Sequence, residues 1–304
     1  MSATKVRARR DVEAEVTAKV MEALERGTAP WQQPWTSNGM LPTSVSTGRP
    51  YRGINVFLLS LAAFERGYAS PYWLTFNQAK ERGGSVRKGE NGTLVVFWKS
   101  WEVRDEGSAD PEATVRRFVL RHYVLFNLDQ TDGVELPPRF APPERAEDFD
   151  PIVEAEATWE GYVGRPALRH AGDRAYYSPA TDGITLPDRA AFSSPAAFYS
   201  TLFHEATHST GHKDRLDRFE RNGEPQHFGT ERYAREELVA EMGSAMLRAL
   251  AGVEVEVENS AAYVASWLEA LRNDKSLVVK AAAQAQRAVD LILGTQVTHE
   301  GGEG

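Results

Sequence analysis

The stretch SPAAFYSTLFHEATHSTGHKDRL (194–216) fixes one element of the fold before any other. Ser194 and Pro195 supply an N-cap and a first-turn proline, and the apolar residues that follow predict a helix running through His208. On that helix His204 and His208, four residues apart, share one face. Two imidazoles so placed can hold one zinc ion, which at a catalytic centre takes three protein ligands and keeps one position open. Glu205 projects beside them, where its carboxylate can act on water as a general base. HExxH arises by chance in roughly one chain of this length in a hundred. Its surroundings must therefore decide.

A third ligand is available in YAREELVAEMGSAML (233–247), predicted as part of a helix over about 232–251. Glu237 and Glu241 share a face of it, as do Tyr233 and Glu237. Glu237 fits the role of ligand, and Glu241 that of an acid orienting a metal-bound histidine. Glu236 points about 100° away and is the weaker candidate. Acidic residues also simply face solvent on many helices, with Leu238, Met242 and Ala245 marking a buried side here. His212 would share the histidine face if the helix continued, but Gly211 is expected to end it, leaving His212 a packing or orienting residue. His227 reads as exposed in a loop. Tyr233 reads either as a core residue or as a donor to a developing oxyanion.

The chain of 304 residues has no cysteine, which excludes disulfides, thiolate ligands and cysteine nucleophiles and suits a reducing cytoplasm. No apolar run approaches the roughly 20 residues of a bilayer span, and MSATKVRARRDVEAEV lacks the apolar centre of a signal peptide. A soluble cytoplasmic protein is expected. Charge divides unevenly: residues 1–145 hold 20 Lys and Arg against 17 Asp and Glu, the rest 15 against 26. Five of seven tryptophans (31, 35, 73, 98, 101) also lie in the first half. Such asymmetry points to two jobs, although acidic helices that supply solubility would explain much of it.

Periodicity and turn chemistry predict an α+β fold in two domains. Val12, Val16, Val20 and Leu24 mark a helix over 11–26, and a second helix is expected over 55–66 before Gly67. Thr75 and Gln78 form a capping box for a short helix to Arg82. TLVVFWKSWEV (93–103) and VRRFVLRHYVLFNL (115–128) read as a hairpin. LPPRFAPPERAEDFD (136–150) is the best linker, which divides the chain into 1–135 and 151–304 with few contacts expected across it. AYYSPATDGITLP (175–187) reads as two strands about Asp182-Gly183, with an edge along which an extended peptide could pair. VEVEVEN (253–259) alternates like an exposed strand. Segments 260–271 and 275–293 read as a closing helical pair.

Taken together, APWQQPW (29–35), GRPYRGINVFLLSL (48–61), YWLTFNQAKERGGSVRKGENGTLVVFWK (72–99), HYVLFNLDQTDG (122–133), FYSTLFHEATHSTGHKDRL (198–216) and YAREELVAEMGSAML (233–247) make the chain resemble the ArdC family of plasmid and phage antirestriction proteins. The resemblance runs nearly end to end. It implies an N-terminal single-stranded-DNA-binding domain and a C-terminal zincin-like metallopeptidase domain. It supports His204, His208 and Glu237 as ligands of zinc, or of another divalent ion such as Mn2+, with Glu205 as base. It also implies protection of incoming DNA from host restriction, and it names no peptide substrate, a host restriction or defence protein being one candidate. A non-enzymatic DNA-coating protein with a structural or vestigial metal site is the alternative. Single strands are held by cations and aromatic platforms, for which Trp31, Trp35, Tyr51, Arg52, Arg87, Lys88, Lys99, Arg116 and Arg117 are candidates. Each tryptophan can equally be core, and Arg116 and Arg117 must fall on opposite faces of a strand.

Overall fold

The computed structural model describes residues 11–31, 40–105, 107, 112–136, 140, 150–219, 230–254 and 261–295. The first half carries helices α1 (Val12–Glu25), α2 (Ile54–Arg66) and α3 (Phe76–Glu81) and strands β1 (Thr43–Ser44), β2 (Tyr72–Leu74), β3 (Ser85–Val86), β4 (Thr93–Arg104), β5 (Thr114–Asn127) and β6 (Thr131–Asp132). The second carries α4 (Pro151–Glu160), β7 (Ala167–His170), β8 (Tyr176–Ser178), β9 (Gly183–Leu186), α5 (Pro195–Ser209), α6 (Glu231–Ala251), α7 (Ala261–Asn273) and α8 (Leu277–Ile292). Sheets form in the orders β1-β2-β5-β4, β3-β6 and β7-β9-β8. None of the described helices is long and apolar enough to cross a membrane.

Local rules account for most boundaries. The Thr75–Gln78 capping box forms in both directions, Thr75 N donating to Gln78 Oε1 at 2.9 Å and Gln78 N to Thr75 Oγ1 at 3.2 Å. Gly67 and Gly252 close α2 and α6 in the left-handed region, which only glycine enters freely. The β4–β5 register runs from Thr93 opposite Leu125 to Arg104 opposite Thr114. Residues 93–96 of β4 are buried and those beyond are almost all exposed. The outer eight residues of β4 thus form a two-stranded ribbon reaching about 26 Å past the core at ~3.3 Å per residue. At its root, Asn55 of α2 donates to Val96 O at 2.7 Å and accepts from Val96 N at 2.8 Å, tying helix to strand.

Helix α4 and strand β7 escaped the sequence reading, as did the short strands β1, β2, β3 and β6. Helix α4 has a good start, Asp150 accepting from Ile152 N at 2.8 Å ahead of Pro151. Only Ala155 and Trp159 of it are buried, however, so its apolar period is faint. Strand β7 has no alternation because three of its four residues are exposed. Most of the proposed linker and residues 255–259 of the alternating VEVEVEN segment lie outside the described residues; Val253 and Glu254 are not in a strand.

Few contacts were expected between the halves. The structure corrects this: one hydrophobic core runs through both. Val12, Val16, Val20 and Leu24 of α1 join that core, and α1 packs on α7 and α8 near the other end of the chain. Thr17 Oγ1 donates to Lys275 O at 2.6 Å, Asp11 pairs with Lys275, and Glu25 with Arg272. Gly53 N donates to Gln286 Oε1 at 2.9 Å, and Arg52 forms an ion pair with the buried Asp290. Trp31 stands at the junction, its ring edge-on to Phe57 of α2 (6.5 Å between centroids) and to Trp267 of α7 (5.4 Å). It is 0% exposed, so it cannot stack on a base. Trp31→Ala is expected to cost about 3–5 kcal/mol in chemical denaturation, the usual range for emptying a buried Trp site. Both halves should unfold in one transition, whether followed at the metal centre or at the hairpin; two separated transitions would mean independent cores.

Candidate metal centre and nucleic-acid face

Helix α5 begins where its sequence says it should: Ser194 Oγ accepts from Ala197 N at 3.1 Å, and Pro195 opens the first turn. Its C-terminal carbonyls are satisfied by two arginines from the loop that follows. Arg215 Nε donates to Ser209 O at 2.8 Å and Arg218 Nη2 to Thr207 O at 2.9 Å. Helix α6 starts at Thr230, whose hydroxyl accepts from Tyr233 N at 3.1 Å. It packs along α5 at close range because position 243 has no side chain. A Cβ there would fall 2.5 Å from Thr207 Cγ2, inside any tolerable contact. Ser244 Oγ donates to Ser200 O at 3.0 Å and fixes the same seam.

This approach brings His204, His208 and Glu237 together. The two histidine Nε2 atoms are 3.1 Å apart, and Glu237 reaches each of them at 3.4 Å, Oε2 to His204 and Oε1 to His208. Tetrahedral zinc with bonds of about 2.0–2.1 Å needs ligand atoms about 3.3 Å apart. The residues present fit such an ion. Each histidine turns its other nitrogen to a carboxylate: His208 Nδ1 is 3.3 Å from Glu236 Oε1, and His204 Nδ1 is 3.6 Å from Glu241 Oε1. That arrangement leaves Nε2 for the metal. Glu236, whose direction argued against a ligand role, instead holds a ligand. Its carboxylate also takes Arg218 Nη2 at 2.7 Å and Nε at 3.1 Å. Neither Arg218 nor this role of Glu236 was visible in sequence, since both depend on how the loop after α5 folds back.

The field at the centre favours positive charge. Burial opposes ionisation of Glu237, yet its contacts with His204 and His208 hold its carboxyl far below the usual carboxylate range. Burial likewise opposes charge on His208, but Glu236 and Glu237 raise its pKa well above the ordinary value. Glu205 is buried, and among the described residues no group hydrogen-bonds its carboxylate. Tyr233 is half-buried; burial and its hydrogen bonds to Tyr263 and Glu237 raise its pKa. Tyr263 of α7 was given no role from sequence, although its place four residues before Trp267 puts both on one face of a helix. Helix α5 ends at Ser209, so His212 leaves the histidine face and contacts Asp214 at 3.5 Å. His227 lies outside the described residues.

The β4–β5 ribbon presents a second chemistry. Strand alternation puts Phe97, Lys99 and Trp101 on one face with Arg117, Arg121 and Tyr123 across from them. Phe97, Trp101 and Tyr123 are 39%, 42% and 43% exposed, and this face holds no carboxylate from Thr93 to Val103 or Val115 to Leu125. Tyr51 extends the row, its ring 6.4 Å from Phe97, which is 5.5 Å from Tyr123. Burial pushes the Tyr51 hydroxyl up to about 12. The other face carries Trp98, Phe118 and Arg116, with Glu102 opposite Arg116. Of the other candidates for DNA contact, Arg52 is committed to Asp290, and Arg87 to Glu90 (3.0 Å), Asp132 (3.6 Å) and the Asp129 carbonyl. Lys88 is exposed away from the ribbon, on the turn after β3, and Trp35 lies outside the described residues.

A metal triangle carried by paired helices beside a small three-stranded sheet defines a zincin-like metallopeptidase domain, and residues 163–284 match the family model of that description. Residues 10–126 match the N-terminal domain of the anti-restriction factor ArdC. The chain belongs to the ArdC family. It superposes on the metal-free crystal structure of the antirestriction ArdC protein from plasmid R388 with a TM-score of 0.75 and 42% identity, over 94% of this chain and 98% of that one. The Mn(II)-bound structure of that protein gives 0.74 and 40%, over 96% and 100%. An uncharacterized Sinorhizobium fredii protein, y4eC, is 38% identical over 92% of this chain and 91% of its own length. Two DNA primases TraC of Escherichia coli are 38% and 37% identical over 91% and 92% of this chain. The chain spans only 19% and 27% of those primases. Among the described residues, His204, His208 and Glu237 are the group so placed that it could hold a divalent metal ion.

Removing the acid behind His208 in Glu236→Gln should weaken metal binding about 10–100-fold, the usual cost of losing such a partner. Gly243→Ala should separate α5 from α6, cost about 1–3 kcal/mol of stability and lower metal affinity as well. Calorimetric titration with Zn2+ and with Mn2+ measures both; unchanged affinity in the two variants would mean that the triangle does not depend on the α5–α6 seam.

Proposed function

We propose that the protein protects incoming DNA from restriction, holding single strands on the β4–β5 ribbon and hydrolysing a protein at a zinc centre. The observation that supports it best is the convergence of three ligand atoms beside Glu205, a buried carboxylate with no protein donor among the described residues. A site serving structure alone has no use for such a base. When bound, zinc supplies Lewis acidity to a peptide carbonyl and to attacking water. Glu205 takes a proton from that water and passes it to the leaving amine, so that one C–N bond breaks as one C–O bond forms. Glu236 and Glu241 keep the two imidazoles turned so that Nε2 faces the ion. Tyr233 and Tyr263 stand beside the ligands, where a hydroxyl can donate to the developing oxyanion.

The ribbon supplies what single strands require: planar side chains for unpaired bases and cations beside them for the backbone. Duplex DNA offers no base faces to Phe97, Trp101 and Tyr123, so single strands should bind more tightly. With three cations on this face, the salt slope should be shallow, at about −0.7 per phosphate neutralised.

Glu205→Gln should keep metal and fold while abolishing hydrolysis, read by comparing proteomes of cells expressing wild type and variant. Antirestriction surviving in that variant would leave DNA coating as the whole function and retire the peptidase. Trp101→Ala should weaken binding of a labelled single-stranded oligonucleotide by about 1–3 kcal/mol with stability unchanged, since the ring lies outside the core. Unaltered affinity in Trp101→Ala and Arg117→Ala would remove the ribbon from the DNA interface.

A further inference from the structure

A cavity of about 440 Å³ opens on the side of α6 away from the metal, between the first turns of α6, the face of α8 that begins at Leu277, and the loop after α5. Its cations are Arg215, Arg218, Arg232, Arg235, Lys280 and Arg287, and its single carboxylate is Glu236. They gather on the half of the chain where acids exceed bases by 26 to 15.

The inner cations have structural work. Arg215 holds Asp182 and the Ser209 carbonyl; Arg218 is 8% exposed and bonded to Glu236, Thr210 and the Thr207 carbonyl. Glu236 is itself shared between Arg218 and His208 and has nothing left for the mouth. Arg232 donates to the Phe219 carbonyl; at the mouth, Arg235 contacts Glu231 at 2.7 Å and Asp274 at 3.4 Å, and among the described residues Lys280 has only that same Asp274, at 3.9 Å. Asp274 already accepts from Ser276 N at 2.9 Å and Ser276 Oγ at 2.6 Å. Arg287 has no ion pair among the described residues. The first turns of α6 and α8 both line the space, and a helix start carries partial positive charge that disfavours cations and attracts anions. Gathering six cations about a single lining carboxylate is costly unless an anion shares the site. Fork-shaped guanidiniums such as Arg235 and Arg287 suit tetrahedral phosphate oxygens better than a lone carboxylate.

We infer that this cavity binds phosphate groups, those of a single-stranded nucleic acid or of a small phosphate compound, at a site separate from the ribbon. Lys280→Ala/Arg287→Ala tests it without touching the metal ligands, both residues being exposed on α8 where alanine favours the helix. The full chain, this double variant and Trp101→Ala/Arg117→Ala are titrated calorimetrically with inorganic phosphate and by anisotropy with a labelled thymidine oligonucleotide. Phosphate should bind wild type and the ribbon variant alike and bind the cavity variant about tenfold more weakly, a loss of ~1.4 kcal/mol. A parallel loss of oligonucleotide affinity in the cavity variant names nucleic acid as the source; loss of phosphate alone names a small phosphate compound. Phosphate affinity equal in wild type and cavity variant, or no phosphate binding at all, overturns the inference. So does a polyglutamate peptide that displaces phosphate from wild type at lower concentration, which would make the cavity a seat for an acidic protein segment. The ribbon variant keeps its phosphate affinity in every supporting case, so this site and the ribbon stand or fall separately.

Discussion

The metal triangle exists because two helices touch where one of them has no side chain. With hydrogen at position 243, Thr207 of α5 rests against the backbone of α6, and the ligands of the two helices fall within 3.4 Å of each other. Zinc–ligand geometry tolerates little error, since a separation wrong by half an ångström changes bond lengths by a comparable fraction. The surrounding residues defend that spacing. Ser244 bonds Ser200 along the seam, while Arg218 gathers the Thr207 carbonyl, the Thr210 hydroxyl and Glu236 into one knot behind His208.

Much of this centre was legible in the sequence because its determinants are local. A capped helix fixes which residues four apart share a face, and the 100° step between Glu236 and Glu237 separates ligand from support. What the sequence could not supply was distance along the chain. Whether Trp31 is a platform or a core residue depends on Trp267, more than two hundred residues away. Arg52 looked available until Asp290 of the last helix was placed beside it. Alternation in 93–103 and 115–128 told which side chains share a face, yet it could not tell where the hairpin leaves the core. That point, just past Val96, converts Phe97, Trp98 and Trp101 from candidate core into exposed surface. Helix α4 was missed for the converse reason: it is held by Trp159 more than by any repeating stripe.

The ribbon and the metal centre differ in electrostatics. Around the histidines, Glu205, Glu236, Glu237 and Glu241 make a field that draws a cation and repels a phosphate backbone. The ribbon face has no carboxylate at all, so its attraction to phosphates is not diluted. That face and the acidic centre therefore favour ligands of opposite sign.

The undivided core also bears on how such a chain can be inherited. A protein assembled from two self-sufficient domains can lose or exchange either one, and each then drifts into other company. Here α1, at the head of the chain, shares its buried face with the last two helices, and Trp31 clasps α2 to α7. A recombination event that cut between the halves would leave two fragments, each with an open wound of apolar surface. The buried faces of α1 and Trp31 thus tie the two halves into one packing unit.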